Sequence, residues 1–188
     1  MNWLAHLLLS DPEETFRIGN LLPDLMPMGQ LVHLPAEYQR GIQRHREIDA
    51  FTDSHPVFRR STQRFETPYR RFGGVLVDLF YDHFLANNWA EYSETTLPDF
   101  AAEVYASFEG VQHILPPEIV AGLRQMQATN LLCSYSEVSG ISGALQRISS
   151  RLKRPVELAP AVAVLERHYG AFHEDFREFF PTLLGRWR

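Results

Sequence analysis

Two acidic residues lie four positions apart in an otherwise apolar stretch, and they are the first candidates for chemistry. Residues Val77–Leu85 include Asp78 and Asp82, with His83 directly after, among leucine, phenylalanine and tyrosine residues. Residues at i and i+4 share one face of a helix. Two carboxylates placed there would repel each other and lose hydration, so a bound cation or an arginine would stabilise them. The alternative is that both acids face water while the aromatic residues face the core.

The same spacing of polar residues recurs three more times in the first half of the chain. The other pairs are Asn2 with His6, Asn20 with Asp24, and His45 with Asp49. Histidine and aspartate suit Mn²⁺, Mg²⁺, Fe or Zn, and no cysteine cluster competes with them. Each residue also has a separate explanation. His6 could be a core histidine, Asn2 and Asn20 could be helix caps, and Asp24 could lie in a turn. His45 could lie on a solvated face, and Asp53, one i+4 step beyond Asp49, could bond the end of its own helix. Repetition on several helices favours a shared metal site over these separate explanations.

The chemistry of such a site would be hydrolytic. A divalent ion held by histidine and aspartate lowers the pKa of its water and stabilises charge on phosphoryl oxygens. Arginines at the rim would complete a phosphate clamp. The candidates are Arg44 and Arg46, which flank His45, and Arg151 and Arg154, which with Lys153 form the one concentrated basic cluster. That cluster has an equally good alternative as cations at a helix C-terminus.

These residues must be positioned by helices, because strand signals are poor and helical periodicity broken by prolines dominates. The pattern predicts one all-α domain over residues 1–188 with about seven to nine helices. The expected segments are about 2–9, 19–24, 36–53, 57–65, 69 or 74 to 89, 100–114, 118–131, 134–152 and 158–180. Thr96 with Asp99 and Ser134 with Glu137 resemble capping boxes, and Pro181 is expected to interrupt the last helix.

Bulk composition narrows the classes of partner. A length of 188 residues suits one domain, and the net charge of −5 argues against a nucleic-acid binder. The single cysteine, Cys133, fits a reducing cytosol. Neither a signal peptide nor an apolar run of membrane-spanning length is apparent. We therefore expect a cytoplasmic protein that binds neither membrane nor nucleic acid, with its oligomeric state left open.

At these residues the sequence resembles the acyl carrier protein phosphodiesterases, also called holo-acyl carrier protein hydrolases. The shared motifs are Asn2–His6, Gly19–Leu22 with Asp24, Gly41 and Ile42 with His45, Arg46, Ile48 and Asp49, Thr52 with Asp53, Asp78 with Asp82–Leu85 and Trp89, and more loosely His168, Tyr169, Phe176, Phe180 and Pro181. The resemblance implies a helical fold similar to the HD-type metal phosphohydrolases in a rearranged form. It also implies holo-acyl carrier protein as substrate, with release of 4′-phosphopantetheine, and Mn²⁺ as the preferred ion, with Mg²⁺ or another divalent ion as alternatives. Pro23 departs from the expected pattern, between Asn20 and Asp24.

Taken together, the motifs and the resemblance assign roles to individual residues. The expected metal ligands are Asp24, His45, Asp49 and Asp78. The expected catalytic residues, or further ligands, are His6, Asp82 and His83, with His83 as proton donor to the leaving serine oxygen. The expected substrate-binding residues are Arg44, Arg46, Arg151 and Arg154, and candidates for docking an acidic carrier are Arg59, Arg60, Arg64, Arg70 and Arg71. The rival functions are an HD-type phosphohydrolase of a nucleotide or another small phosphodiester, and a non-catalytic helical protein that binds a carrier.

Overall fold

Helices make up the regular structure of the chain, which a computed structural model describes over residues 1–188. The twelve α-helices are Trp3–Leu8 (α1), Glu14–Leu21 (α2), Met28–Leu31 (α3), Ala36–Ser54 (α4), Pro56–Thr62 (α5), Gly73–Asn87 (α6), Leu97–Ser107 (α7), Pro117–Ala128 (α8), Leu131–Ser134 (α9), Val138–Arg151 (α10), Val162–Arg167 (α11) and Tyr169–Trp187 (α12). Short 3₁₀ turns lie at Leu22–Asp24, Arg70–Phe72, Trp89–Glu91 and Ala159–Ala161. No β-strand is present, so the all-α prediction is confirmed.

The helix count and several boundaries differ from the sequence prediction. Four helices (α1, α3, α9 and α11) have six residues or fewer, and the other eight match the expected seven to nine. The capping box at Thr96 is confirmed, because its Oγ1 accepts the backbone N–H of Asp99 at 3.2 Å. The one at Ser134 was wrong, because Ser134 ends α9 and Glu137 precedes α10 without a side-chain cap. The HD-like arrangement of the helices stays a prediction.

The end of the chain departs most from expectation. The segment predicted as one helix over 158–180 divides at His168, between α11 and α12. Helix α12 then continues through Pro181, so the predicted interruption was wrong. Proline removes one backbone donor from a helix, but Phe179, Phe180 and Leu183 are fully buried around this point. Burial of these side chains offsets the local loss, since core packing outweighs intrinsic propensity.

Helix α6 is the central element of the core. Eleven of its fifteen residues are buried, as expected of a helix that is apolar on nearly every side. Its aromatic side chains pack against α12, with ring centroids 5.4 Å apart for Phe80 and Phe172 and 5.6 Å apart for Tyr81 and Phe176. This packing fixes the helix that carries Asp78 and Asp82.

Helices α2 and α4 cross in backbone contact at two glycines. A Cβ on Gly41 would lie 2.1 Å from the Phe16 carbonyl oxygen, and one on Gly19 would lie 2.3 Å from the Tyr38 carbonyl oxygen. No other residue type fits at either position, so the pair of glycines sets the separation of the helices. The close crossing brings Asn20 of α2 against His45 of α4.

A buried carboxylate joins α5 to α12. Asp175 is 2% exposed and accepts hydrogen bonds from Ser61 Oγ at 2.6 Å and Arg60 Nε at 2.7 Å, and from Arg64. Two of the arginines considered for carrier docking, Arg60 and Arg64, are therefore paired with this carboxylate, and Arg60 remains half exposed. None of the helices combines the length and the apolar character needed to cross a bilayer.

Candidate metal centre

Three side chains from α1 and α4 converge at one point. The imidazole nitrogens of His6 and His45 and the carboxylate of Asp49 all lie within 4.8 Å of one another. His6 Nε2 is 3.2 Å from Asp49 Oδ1, and His45 Nε2 is 3.1 Å from Asp49 Oδ2. Both histidines are buried, and Asp49 is partly exposed. The i, i+4 spacing of His45 and Asp49 on α4 accounts for their shared face.

Asn20 orients both imidazoles. Its side-chain Nδ2 donates to the His6 carbonyl oxygen and to Ser10 Oγ, each at 2.8 Å, so its Oδ1 faces His6 Nδ1 at 3.0 Å. The Asn20 backbone oxygen accepts from His45 Nδ1 at 2.7 Å. Each ring therefore carries its proton on Nδ1, and each Nε2 presents a lone pair to the centre.

The resulting set of atoms fits a divalent cation. With those tautomers, two Nε2 lone pairs, the Asp49 carboxylate and the Met1 carbonyl oxygen, 3.0 Å from His6 Nε2, face one another, and neither imidazole donates a proton to the others. Acceptors gathered in this way need a proton or a cation to compensate them. Imidazole nitrogen with carboxylate oxygen is a donor set used for Mn²⁺, Fe and Zn.

The carboxylates around the centre stabilise positive charge. The buried amino group of Met1 lies 2.9 Å from Asp78 Oδ1 and 3.5 Å from Asp49 Oδ1. Burial acts to lower the pKa of this amine, but the two carboxylates outweigh it and raise the pKa to about 10. A positive group is thus strongly stabilised in this corner of the protein.

The three residues of the centre differ in how the protein shifts their pKa values. Burial lowers the pKa of His6, against the effect of Asp49. Burial would do the same for His45, but Asp49 and Asp24 together raise its pKa. For Asp49, burial acts upward, yet the positive charge available on His45, His6 and the Met1 amine holds its pKa well below the usual range. Asp49 is therefore ionised near neutral pH and available as a ligand.

Two further predicted ligands flank the centre. Asp24 Oδ1 lies 3.7 Å from His45 Nε2, and its Oδ2 accepts the indole N–H of Trp3 at 2.9 Å. Asp78 contacts the centre through the Met1 amine, and burial raises the pKa of its carboxyl group to about 6. Both acids line a groove of about 270 Å³. The other lining residues are Met1, Asn2, Trp3, Val75, Ile148, Arg151 and Leu152.

Asp82 and His83 occupy positions that support other elements. Asp82 is fully buried and accepts the backbone N–H groups of Leu4 at 2.8 Å and Ala5 at 3.1 Å, which fixes the first turn of α1. Burial raises the pKa of Asp82 to about 8, although these two amides act in the opposite direction. His83 instead bonds the Tyr135 carbonyl oxygen through Nδ1, with its Nε2 3.0 Å from the Tyr169 hydroxyl. These contacts do not bring His83 to the His6–His45–Asp49 centre.

Of the four predicted substrate-binding arginines, Arg151 is the one that lines the groove. Arg44 donates to the Leu9 carbonyl oxygen at 2.9 Å, and its guanidinium lies over the Phe16 ring. Arg46 donates to the Met28 sulfur, and Arg154 is exposed in the segment after α10. Asp53, one turn beyond Asp49, is also exposed.

Sequence reasoning missed two kinds of residue. It gave His6 as a catalytic residue or a further ligand, and it gave Asn20 no role beyond its motif and a possible helix cap. It gave no role at all to Val75, Ile148 and Leu152, since apolar residues carry no chemical signal until the fold places them beside an acidic centre.

The fold and the site together define the class of this protein. It is a helical protein with a candidate metal centre, formed by a buried histidine–aspartate cluster suited to a divalent ion. Within that class, the chain belongs to the acyl carrier protein phosphodiesterase family, whose sequence profile matches residues 1–183. The resemblance noted from the motifs is thereby confirmed.

Curated proteins with the same family name match this chain over nearly their whole length. The acyl carrier protein phosphodiesterase of Yersinia pestis is 31% identical over 189 residues, which cover 98% of this chain and 96% of that protein. The one from Photorhabdus laumondii is 30% identical, covering 98% and 93%, and the one from Salmonella agona is 30% identical, covering 99% and 97%. No solved structure matches the chain.

Proposed function

We propose that this chain hydrolyses the phosphodiester between 4′-phosphopantetheine and a serine of acyl carrier protein. The observation that carries the proposal is the convergence of His6, His45 and Asp49 beside a groove that also holds Arg151. Membership of a family whose relatives are named acyl carrier protein phosphodiesterase supports the choice of substrate. The products are apo-carrier and 4′-phosphopantetheine.

His6, His45 and Asp49 would hold a divalent ion, with Mn²⁺ as our choice and Asp24 as the nearest additional ligand. Such an ion lowers the pKa of water and stabilises charge on phosphoryl oxygens. Asn20 keeps both imidazoles in the tautomer that presents Nε2. Asp82 contributes indirectly, because it fixes the helix on which His6 stands.

The chain's own groups supply proton transfer and phosphate binding. The oxygen of water bonds to phosphorus, the bond from phosphorus to the serine oxygen breaks, and a proton is delivered to that oxygen. Asp78 lines the groove and has a pKa near neutrality, which suits a group that accepts the proton of water and returns it. We propose Asp78 for this role rather than His83, whose ring nitrogens face Tyr135 and Tyr169. Arg151 would orient the phosphodiester.

We place this reaction in the cytoplasm, a proposal supported by the single free thiol of Cys133, which suits a reducing compartment.

The test is the mass of the carrier after incubation with the purified protein. Holo-carrier with Mn²⁺ should lose one 4′-phosphopantetheine, and chelation of divalent ions should abolish the loss. An unchanged carrier mass with Mn²⁺ present would overturn the proposal. Cleavage of nucleotides or small phosphodiesters in its place would establish the rival hydrolase, and purification without a stoichiometric metal together with carrier binding would establish the non-catalytic rival.

A further inference from the structure

A smaller recess of about 50 Å³ between α6, α9 and α10 lies next to the groove beside the centre. The two cavities share Asn2, Trp3, Ile148 and Arg151. The recess is lined in addition by Leu79, Leu131, Tyr135, Ala144 and Arg147. The groove that holds Asp24 and Asp78 therefore adjoins a mostly apolar recess, and Ile148 and Arg151 line both.

The lining of the groove combines charged and apolar side chains. Asp24 and Asp78 are its acidic residues, and Val75, Ile148 and Leu152 are among its apolar ones. Trp3 adds a rigid face, because the bond from its indole N–H to Asp24 fixes the ring. Arg151 supplies a guanidinium in both cavities. Such a lining suits an elongated ligand with a phosphate at one end and a body that carries both apolar and polar groups.

We infer that this groove binds the pantetheine arm of the substrate, with its thiol in the recess and Arg151 on the phosphate, an assignment that rests on the proposed function. A folded carrier is too large to enter a space of about 270 Å³, so the carrier stays outside and only the arm enters. A thiol behaves as a small apolar group, which matches the size and lining of the recess. Val75, Ile148 and Leu152 then determine specificity for the arm.

The test uses 4′-phosphopantetheine and inorganic phosphate as separate probes of binding, titrated calorimetrically with Mn²⁺ present. Ile148→Trp fills the groove, and Ile119→Trp is the matched control, because Ile119 is a half-buried isoleucine on α8 outside both cavities. We expect Ile148→Trp to weaken 4′-phosphopantetheine binding by about tenfold or more, which corresponds to about 1.4 kcal/mol. Binding of inorganic phosphate should stay within about twofold, since Arg151 and the centre are unchanged.

Ile148→Ala serves as a second variant that removes the contact without adding bulk. It should weaken 4′-phosphopantetheine binding by about fivefold and raise KM for holo-carrier with little change in kcat. The inference is overturned if both variants bind 4′-phosphopantetheine as the wild type does, or if they lose phosphate and 4′-phosphopantetheine equally. Wild-type turnover of holo-carrier is measured in parallel. Turnover with binding insensitive to Ile148 refutes the groove alone, whereas Ile148-dependent binding without turnover refutes the proposed function alone.

Discussion

The imidazole rings of His6 and His45 lie face to face, with centroids 4.1 Å apart and planes inclined by 17°. Two protonated rings in this position would repel each other, so at least one ring is kept neutral. A neutral imidazole is the form that binds metal ions. Stacking of the two rings therefore favours the neutral imidazole form that a cation requires.

Removal of the charge on Asp49 should abolish most of the activity. Asp49→Asn keeps the size of the side chain but removes the anion that faces both Nε2 atoms. We expect Mn²⁺ affinity and kcat/KM each to fall by about 100-fold or more. Glu47→Gln, at an exposed position of the same helix, is the control and should leave both unchanged. Full activity of Asp49→Asn would show that the ion, if present, lies elsewhere.

Asn20 should affect metal binding without touching the ion. Asn20→Leu removes the acceptor that holds the His6 tautomer, so we expect Mn²⁺ affinity to fall by about 10- to 100-fold. Ser10→Ala is the control, because it removes the bonds of its hydroxyl to Asn20 Nδ2 and to the His6 carbonyl oxygen but leaves Asn20 Oδ1 facing His6 Nδ1. Histidine ring signals in nuclear magnetic resonance spectra report the tautomer directly. Unaltered ring signals in Asn20→Leu would contradict the role given to this residue.

Mn²⁺ binding should weaken as the pH falls from about 8 to about 6. A proton competes for His45, whose pKa Asp49 and Asp24 raise above its usual value of 6.5 although burial acts to lower it. Without metal, this shift contributes stability that is present below pH 6.5 and is lost as the pH rises through the raised pKa. Titration calorimetry in two buffers of different ionisation enthalpy should detect release of the proton. Binding that does not depend on pH would exclude His45 as a ligand.

The glycine crossing of α2 and α4 should be intolerant of a single methyl group. Gly41→Ala would place a Cβ 2.1 Å from the Phe16 carbonyl oxygen, and we expect it to lower the free energy of unfolding by about 1–3 kcal/mol. Gly122→Ala on α8 meets nothing within 4 Å, so it should raise stability by about 0.5–1 kcal/mol. Thermal unfolding of both variants measures the contrast. Equal effects would show that α2 and α4 can separate at little cost.

Sequence alone could predict the helical fold and the proximity of His45 and Asp49 in the centre. His45 and Asp49 lie on one helix, so their i, i+4 separation in sequence already implies that their side chains are neighbours. The wrong boundaries lie where tertiary packing outweighs local signals, as at Pro181, which remains inside α12 because the aromatic residues around it are buried.

The parts that could not be predicted depend on contacts between distant segments. Asp82 and His83 are neighbours in sequence, yet the helix turns their side chains to different partners, α1 for Asp82 and Tyr135 with Tyr169 for His83. Spacing places residues on a face of a helix, but it does not say which element covers that face. For the same reason, the sequence could name Arg44, Arg46 and Arg151 as candidates for phosphate binding, but only the fold shows that Arg151 is the one of the three that lines the groove.

The bonds from Asp82 to the amides of Leu4 and Ala5 join segments 78 and 77 residues apart in the chain. The first helix is only six residues long and too short to persist alone, so His6 is in place only while α1 is docked on α6. Binding of a divalent ion at the centre would therefore stabilise the docking of α1 on α6. In hydrogen exchange, added Mn²⁺ should slow the amides of α1 far more than those of α8, which contributes no residue to the centre.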